Sequence, residues 1–138
     1  MKLISTKNLT KNYHTKTKEI QAIKNITFDI NDSEIVSIIG PSGCGKSTIL
    51  NILTDLDKQS SGIIEKKDNL KIGYMMQNDC LLPWLTVFDN ATLGLKLKNI
   101  KNEENIEYVN TLLDKYGLKE FANEYPRNLS GGMRQRLG

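Results

Sequence analysis

The stretch Gly40-Pro41-Ser42-Gly43-Cys44-Gly45-Lys46-Ser47-Thr48 constrains this chain more than any other. It follows an apolar run, Ile35-Val36-Ser37-Ile38-Ile39, and precedes a helix-compatible run, Ile49-Leu50-Asn51-Ile52-Leu53. Strand, glycine-rich turn and helix are the setting that a G-x-x-x-x-G-K-[ST] phosphate-binding motif requires. Gly40, Gly43 and Gly45 let the backbone curl so that successive N–H groups turn inward as an anion-binding nest. A helix starting near Lys46 adds its unpaired N–H groups and the positive end of its dipole. Lys46 supplies a mobile charge for the β- and γ-phosphates, and the Ser47 hydroxyl a ligand for Mg²⁺. These nine residues predict a nucleoside triphosphate site. Within it Cys44 lies among N–H groups and near Lys46, a place where any small residue filling a turn would serve equally well.

At 138 residues the chain allows one ordinary domain with a sizeable core. Apolar content of 38% and charged content of 25% fit a globular protein. A net charge of +3 is too small to argue for nucleic acid as a partner. The chain holds no apolar run of the ~18 residues that a membrane-spanning helix needs, and Met1 to Thr6 lack a signal-peptide core. A cytoplasmic location is the expectation. Cys44 and Cys80 have no metal-ligand spacing, and a disulfide framework is not expected in that compartment.

Along the chain, residues 2–13 read as a polar, alternating strand, and His14 to Lys18 as a turn. Ile26, Phe28 and Ile30 alternate with Thr27 and Asp29, as in a half-buried strand. The run Ile35 to Ile39 is nearly continuous and rich in β-branched residues, which predicts a strand buried on both faces of a parallel sheet. Ile49, Ile52, Leu53 and Leu56 predict the apolar face of the following helix, and Asp57 to Gly62 its end. Residues 63–65 and Leu70 to Met76 are further strand candidates, the second finishing at Gln77. Thr86 with Asp89 opens another helix in the manner of a capping box. Residues 102–116 form the clearest amphipathic helix, with Ile106, Val109, Leu113 and Tyr116 on one face and Gly117 placed as its C-cap glycine. Leu118, Phe121 and Tyr125 suggest one more short helix, stopped by Pro126. The expected organisation is a β-rich phosphate-loop half at 1–85 and a helical subdomain at 86–138.

Leu129-Ser130-Gly131-Gly132-Met133 closes the chain with Arg134-Gln135-Arg136. Ser130 is a natural N-cap, and two glycines strip a second helix N-terminus of side-chain bulk. Taken alone, this is equally a turn before a basic surface helix. Together with the phosphate loop and the strand ending in Gln77, in that order, it resembles the ATP-binding cassette family, the motor domains of membrane transporters. The resemblance covers essentially the whole chain. It implies an α/β fold, the P-loop nucleoside triphosphate hydrolase fold, with an N-terminal antiparallel part and a small helical subdomain. It implies ATP and Mg²⁺ as ligands, with Tyr13 stacking on adenine and Gln77 touching the metal and the attacking water. The loop Asn78 to Leu85, which includes Trp84, would rest on the membrane-spanning permease subunits. Leu129 to Met133 form the signature, in which Ser130, Gly131 and Gly132 would meet the γ-phosphate of ATP held by a second copy of the subunit. The string Gln77 to Asn90 is most similar to the branch serving nitrate, sulfonate and taurine importers, which implies a peripheral place on the inner face of the cell membrane.

In the family, a second half supplies a metal-ordering Asp, a water-polarising Glu and a switch histidine, and residues 1–138 hold none of them in a matching context. The chain therefore reads as an ATP-binding half, with a non-catalytic fragment as the alternative. A guanine-reading N-K-x-D motif is absent, which speaks against a GTPase. Residues 49–128 show no sustained heptads, which speaks against a coiled-coil repair ATPase.

Overall fold

The computed structural model describes residues 1–138. They form two compact units, Met1–Tyr74 and Met75–Gly138.

The first unit is built on a long antiparallel hairpin, β1 (Lys2–His14) with β2 (Glu19–Asn31), and β3 (Ser61–Lys66) pairs with the other edge of β1. The hairpin turn closes through the Thr15 N–H donating to the Lys18 carbonyl at 2.9 Å. Its ladder is interrupted between Thr6 and Leu9, where Asn8 takes a φ of 52°. There the buried Thr6 hydroxyl replaces the missing ladder contact, donating to the Phe28 carbonyl at 3.1 Å and accepting the Phe28 N–H at 3.0 Å. One face of the sheet packs on α1 (Lys46–Leu53), where Ile4, Leu9 and Ile23 meet Ile49, Ile52 and Leu53. Helix α1 ends sooner than its apolar spacing predicts. The Thr54 hydroxyl donates to the Leu50 carbonyl at 2.9 Å, Asp55 turns to φ 61°, and Leu56 is left 61% exposed.

Two predicted strands do not form. Ile35–Ile39 and Leu70–Met76 carry no ladder bonds. Val36 and Ile38 still line a groove with Phe28, Ile30, Leu50 and Leu53, while Ile35 and Ile39 stand 96% and 93% exposed. A strand forms only against a ladder partner, and one buried on both faces needs cover on each; the structure gives Ile35–Ile39 no ladder partner.

The second unit is helical. Helix α2 (Val87–Leu97) starts at Thr86, whose hydroxyl accepts the Asp89 N–H at 3.1 Å and donates to the Asp89 carboxylate at 2.9 Å. Its first free N–H groups, Val87 and Phe88, donate to the carbonyls of Glu124 and Ala122 at 2.8 and 2.9 Å. Helix α3 (Glu103–Lys115) is capped by Asn102 and ends at Gly117, φ 67°. There Leu118 N–H reaches the Leu113 carbonyl at 2.7 Å and Gly117 N–H the Asp114 carbonyl at 3.0 Å. This double bond pattern needs a left-handed residue after the cap, which glycine adopts without strain. It also folds Leu118 back onto Leu113, and with Val87, Val109 and Leu129 these form the core. Ile106 is only half-buried and Tyr116 is 46% exposed, so the α3 face is narrower than its spacing predicts. The expected helix after Leu118 is a single 3₁₀ turn, Lys119–Phe121, and a second turn begins at Pro126. Helix α4 (Gly131–Leu137) follows.

Segment 75–85 belongs with the helices. Asn90 accepts the Leu82 N–H at 2.8 Å and donates to the carbonyls of Leu82, Leu85 and Thr86, which ties the segment to α2.

Candidate nucleotide site and signature segment

Helices α2, α3 and α4 each begin with a side-chain oxygen accepting a backbone N–H: Thr86, Asn102 and Ser130. Helix α1 does not. Its N-cap is Gly45, with no side-chain cap and no acidic residue in the first turn. The opening N–H groups of a helix have no partner within it, so those of Lys46, Ser47 and Thr48 face an end left free for an external acceptor. Gly45 is required there on two counts. Its φ is 97°, and a Cβ would lie 2.5 Å from the Ala22 carbonyl oxygen of β2. Gly43 also takes a left-handed conformation, φ 78°.

Lys46 curls back over the loop, its Nζ donating to the carbonyls of Gly40 and Pro41 at 2.8 and 2.7 Å and lying 3.7 Å from Cys44 Sγ. The ammonium is thus held at the mouth of the loop by neutral acceptors. A phosphate oxygen, being charged, forms the stronger bond and can displace them. Ser47 is exposed in the first turn of α1, and Pro41, Ser42 and Cys44 are exposed around it. The donor set suits a triphosphate with a hard cation: main-chain N–H groups, one ammonium and one free hydroxyl.

Tyr13 lies far from the loop in sequence and close to it in the fold. Gly45 abuts Ala22, and the neighbours of Ala22 on β2 pair across the hairpin with β1, Ile23 with Lys11 and Gln21 with Asn12. Tyr13 is the next residue along β1, offset along the strand from the level of that contact by about 5 Å at ordinary strand rise. Its ring is 38% exposed. The hairpin register therefore sets Tyr13 one to two residues along β1 from the level of the Ala22–Gly45 contact, a relation that sequence spacing alone did not reveal.

In the second unit, Gln77, Asn78, Asp79, Gly131, Arg134 and Gln135 line one open cleft. Arg134 Nε donates to Asp79 Oδ2 at 2.8 Å, and an Arg134 terminal nitrogen donates to the Leu129 carbonyl at 2.7 Å. This link between the loop that follows Gln77 (the glutamine loop) and Arg134, the residue after Leu129–Met133, was not foreseen. Its only sequence sign was an acidic residue in one motif and arginines in the other. The signature residues divide by role. Leu129 is 4% exposed and Met133 packs against the same core, so these two anchor the segment. Ser130, Gly131 and Gly132 are exposed. The Ser130 oxygen accepts the Met133 N–H at 3.3 Å, which leaves its hydroxyl proton available to a further acceptor.

Residues 23–138 match the family model described as ABC transporter. The chain belongs to the ABC transporter family. It is 40% identical over 127 residues to a taurine import ATP-binding protein of Rhizobium johnstonii, covering 88% of this chain and 48% of the relative. It is 36% identical over 143 residues to a spermidine/putrescine import ATP-binding protein of Thermotoga maritima, covering 97% of this chain and 38% of the relative. Proteins named for nitrate and aliphatic sulfonate import also match. Among solved structures, a dimeric ATP-binding cassette in a post-hydrolysis state, bound to ADP and Pi, superposes with a TM-score of 0.84 at 37% identity, covering 98% of this chain and 66% of that one. The fold is thus that of a P-loop ATPase cassette, as its motifs implied. The chain spans about half the length of the curated relatives it matches. No helix of this cassette is long and apolar enough to cross a membrane.

Proposed function

We propose that this cassette binds ATP with Mg²⁺ through Gly40 to Thr48 and serves in the energy-coupling subunit of an importer. The observation that carries the reading is the N-terminus of α1, uncapped by any side chain, cradled by glycine and overlaid by the Lys46 ammonium. Lys46 and the first-turn N–H groups bind and orient the β- and γ-phosphates, and Tyr13 offers its ring to adenine. Ser47 and Gln77 are the residues that would hold the metal, which when bound neutralises charge on the phosphates. Two copies would meet so that Ser130, Gly131 and Gly132 reach the γ-phosphate on the partner's loop. The family's dimeric cassette structures support this arrangement. Segment Asn78–Leu85, with Trp84 69% exposed, is the surface for the permease, which would place the cassette on the inner face of the membrane.

Nitrate-, sulfonate- or taurine-like anions are the proposed solutes. The string Gln77–Asn90 and the named relatives support that class.

The test is a thermal melt with ATP·Mg²⁺. Ligand at ~100 times its dissociation constant adds about 2.7 kcal/mol. Lys46→Ala is expected to remove most of that gain and Lys98→Ala none; equal shifts in the two variants would overturn the assignment.

Turnover by residues 1–138 alone is not expected, because positioning the water needs a carboxylate free to do so. Asp79, the acid nearest Gln77 in sequence, is engaged with Arg134. Phosphate release is expected to equal that of Lys46→Ala. Release that Lys46→Ala abolishes would show the chain to be an ATPase and make Asp79 the first residue to substitute.

A further inference from the structure

The Tyr13 ring is not free at its outer end. Its hydroxyl donates to Asp57 Oδ2 at 2.8 Å. The other carboxylate oxygen of Asp57 accepts from Lys11 Nζ at 2.6 Å and from the Lys58 N–H at 2.7 Å. Lys11 also donates to the Lys58 carbonyl at 2.6 Å, and its ammonium sits over the Tyr13 ring, 4.8 Å from the centroid. Lys11 and Asp57 are well covered, with side chains 12% and 27% exposed. The turn bearing Asp57 is bonded to the end of α1, since the N–H groups of Leu56 and Asp57 donate to the Asn51 carbonyl at 2.9 and 3.2 Å. It is stitched to β1 as well. Ser60 N–H donates to the Thr10 carbonyl at 2.9 Å, and Asn12 N–H to the Ser60 hydroxyl at 2.9 Å.

A tyrosine at a strand end is normally free to rotate about its two side-chain torsions, and a mobile ring must be ordered at the moment a base stacks on it. Here one carboxylate fixes the hydroxyl, and one ammonium, held by that same carboxylate, occupies one face of the ring. Tyr13 stays 38% exposed, and the face not taken by the ammonium is the one a base would use. Because Asp57 hangs from the C-terminal end of α1 and Lys46 opens its N-terminal end, one short helix carries both the phosphate ligand and the anchor of the base platform.

We propose that Asp57 is a positioning residue for base recognition: with Lys11 it locks the Tyr13 ring in register with the phosphate loop, so that the purine of ATP meets a preformed platform. The proposal rests on the reading of Tyr13 as the adenine-stacking residue, and its test separates the two. Binding of ATP·Mg²⁺ and of tripolyphosphate·Mg²⁺, which has the phosphates and no base, is measured by calorimetry on the 138-residue chain. The variants are Tyr13→Phe, Tyr13→Ala, Asp57→Ala and Asp57→Ala with Tyr13→Phe.

Tyr13→Phe keeps the ring and removes only the anchoring hydroxyl, so it is not expected to disturb folding. It should weaken ATP about threefold to tenfold, a part of the stacking contribution that Tyr13→Ala removes, and leave tripolyphosphate within about twofold. Asp57→Ala should weaken ATP at least as much, and adding Tyr13→Phe to it should cost nothing further, since both act on one link. ATP binding by Tyr13→Phe equal to wild type, with Tyr13→Ala still weakened, overturns the positioning role and leaves the stacking role standing. Tyr13→Ala without effect on ATP overturns the stacking reading and the proposal with it. Equal loss of ATP and tripolyphosphate in Tyr13→Phe shows that the hydroxyl supports the loop rather than the base, and also overturns it.

Discussion

The two units meet the same demand in opposite ways. Met75–Gly138 closes most of its backbone hydrogen bonds locally: Thr86, Asn102 and Ser130 cap helices three residues ahead of the N–H groups they accept, and Gly117 ends α3 with two bonds reaching back no more than five residues, the Val87 and Phe88 N–H groups being the ones that reach farther, to Glu124 and Ala122. Its core, Val87, Val109, Leu113, Leu118 and Leu129, comes entirely from its own residues. Met1–Tyr74 depends on pairing at long range, β1 with β2 and β1 with β3, and leaves Ile35–Ile39 without a ladder partner. A helix can be completed by the residues that encode it, whereas a strand is completed only by another strand.

If the units are energetically separate, core truncation should show it most strongly. Ile52 and Leu118 are each 1% exposed. Ile52→Ala and Leu118→Ala should each cost about 2–5 kcal/mol in urea unfolding, each lowering only its own unit's transition. Ile35→Ala, at a residue 96% exposed, should stay within about 0.5 kcal/mol. A single shared transition that both truncations shift alike would break the comparison. The exposed apolar run makes a further contrast: Ile35→Lys with Ile39→Lys should raise the monomeric fraction in size-exclusion chromatography, because apolar segments of strand character left unpaired invite association, and an unchanged elution profile would count against that view.

Ligand should sharpen the comparison next. ATP·Mg²⁺ is expected to protect the amides of Lys46–Leu53 from hydrogen exchange, by up to the ~2.7 kcal/mol of stabilisation at a hundredfold excess over the dissociation constant, and to leave those of Glu103–Lys115 unchanged. Equal protection of α1 and α3 would mean that the units are coupled. Caps come third. Thr86→Ala or Asn102→Ala should cost the second unit about 1 kcal/mol each, as read by helical circular dichroism on melting.

Acid gives the smallest effect, read here in the first unit. The Lys2 ammonium and then the Ser5 hydroxyl hold the Asp29 carboxyl below its ordinary value of 3.8, and Lys11 with Tyr13 does the same for Asp57. A carboxyl lowered in the folded state contributes stability that is fully present above its unfolded value and is lost as pH falls through the folded one. The first unit should therefore weaken only as pH drops below about 3.8, and Asp29→Asn with Asp57→Asn should flatten that dependence in a pH series of melts. An unchanged acid slope in the double variant would assign the loss to other groups.

Much of the candidate site's geometry was legible because its groups are contiguous. The glycines, Lys46 and Ser47 sit on one loop and one helix end, and the spacing that names the motif is the spacing that shapes the loop. Ser130 as a cap and Gly117 as a helix stop were equally readable, since capping joins residues three to five apart. Leu56 was misplaced on the face of α1 because periodicity continues past the point where the Thr54 hydroxyl and Asp55 turn the chain. Asp57 went unnoticed because nothing adjacent to it marks a carboxylate that serves a tyrosine forty-four residues away.

By itself, then, the sequence determined what each segment was suited to: a phosphate loop at 40–48, capped helices in the second half, and apolar runs with strand character at 35–39 and 70–76. Tertiary structure alone decided which of these were completed and what they met. It left both runs unpaired, because ladder bonds must come from elsewhere in the chain. The hairpin register set Tyr13 one to two residues along β1 from the level at which Ala22 meets Gly45, Asp57 closed on Lys11 and Tyr13, and Asp79 found Arg134. Those contacts join residues that no local propensity relates. Their geometry follows from the packing of β1, β2 and α1 in one unit and of the glutamine loop with α4 in the other.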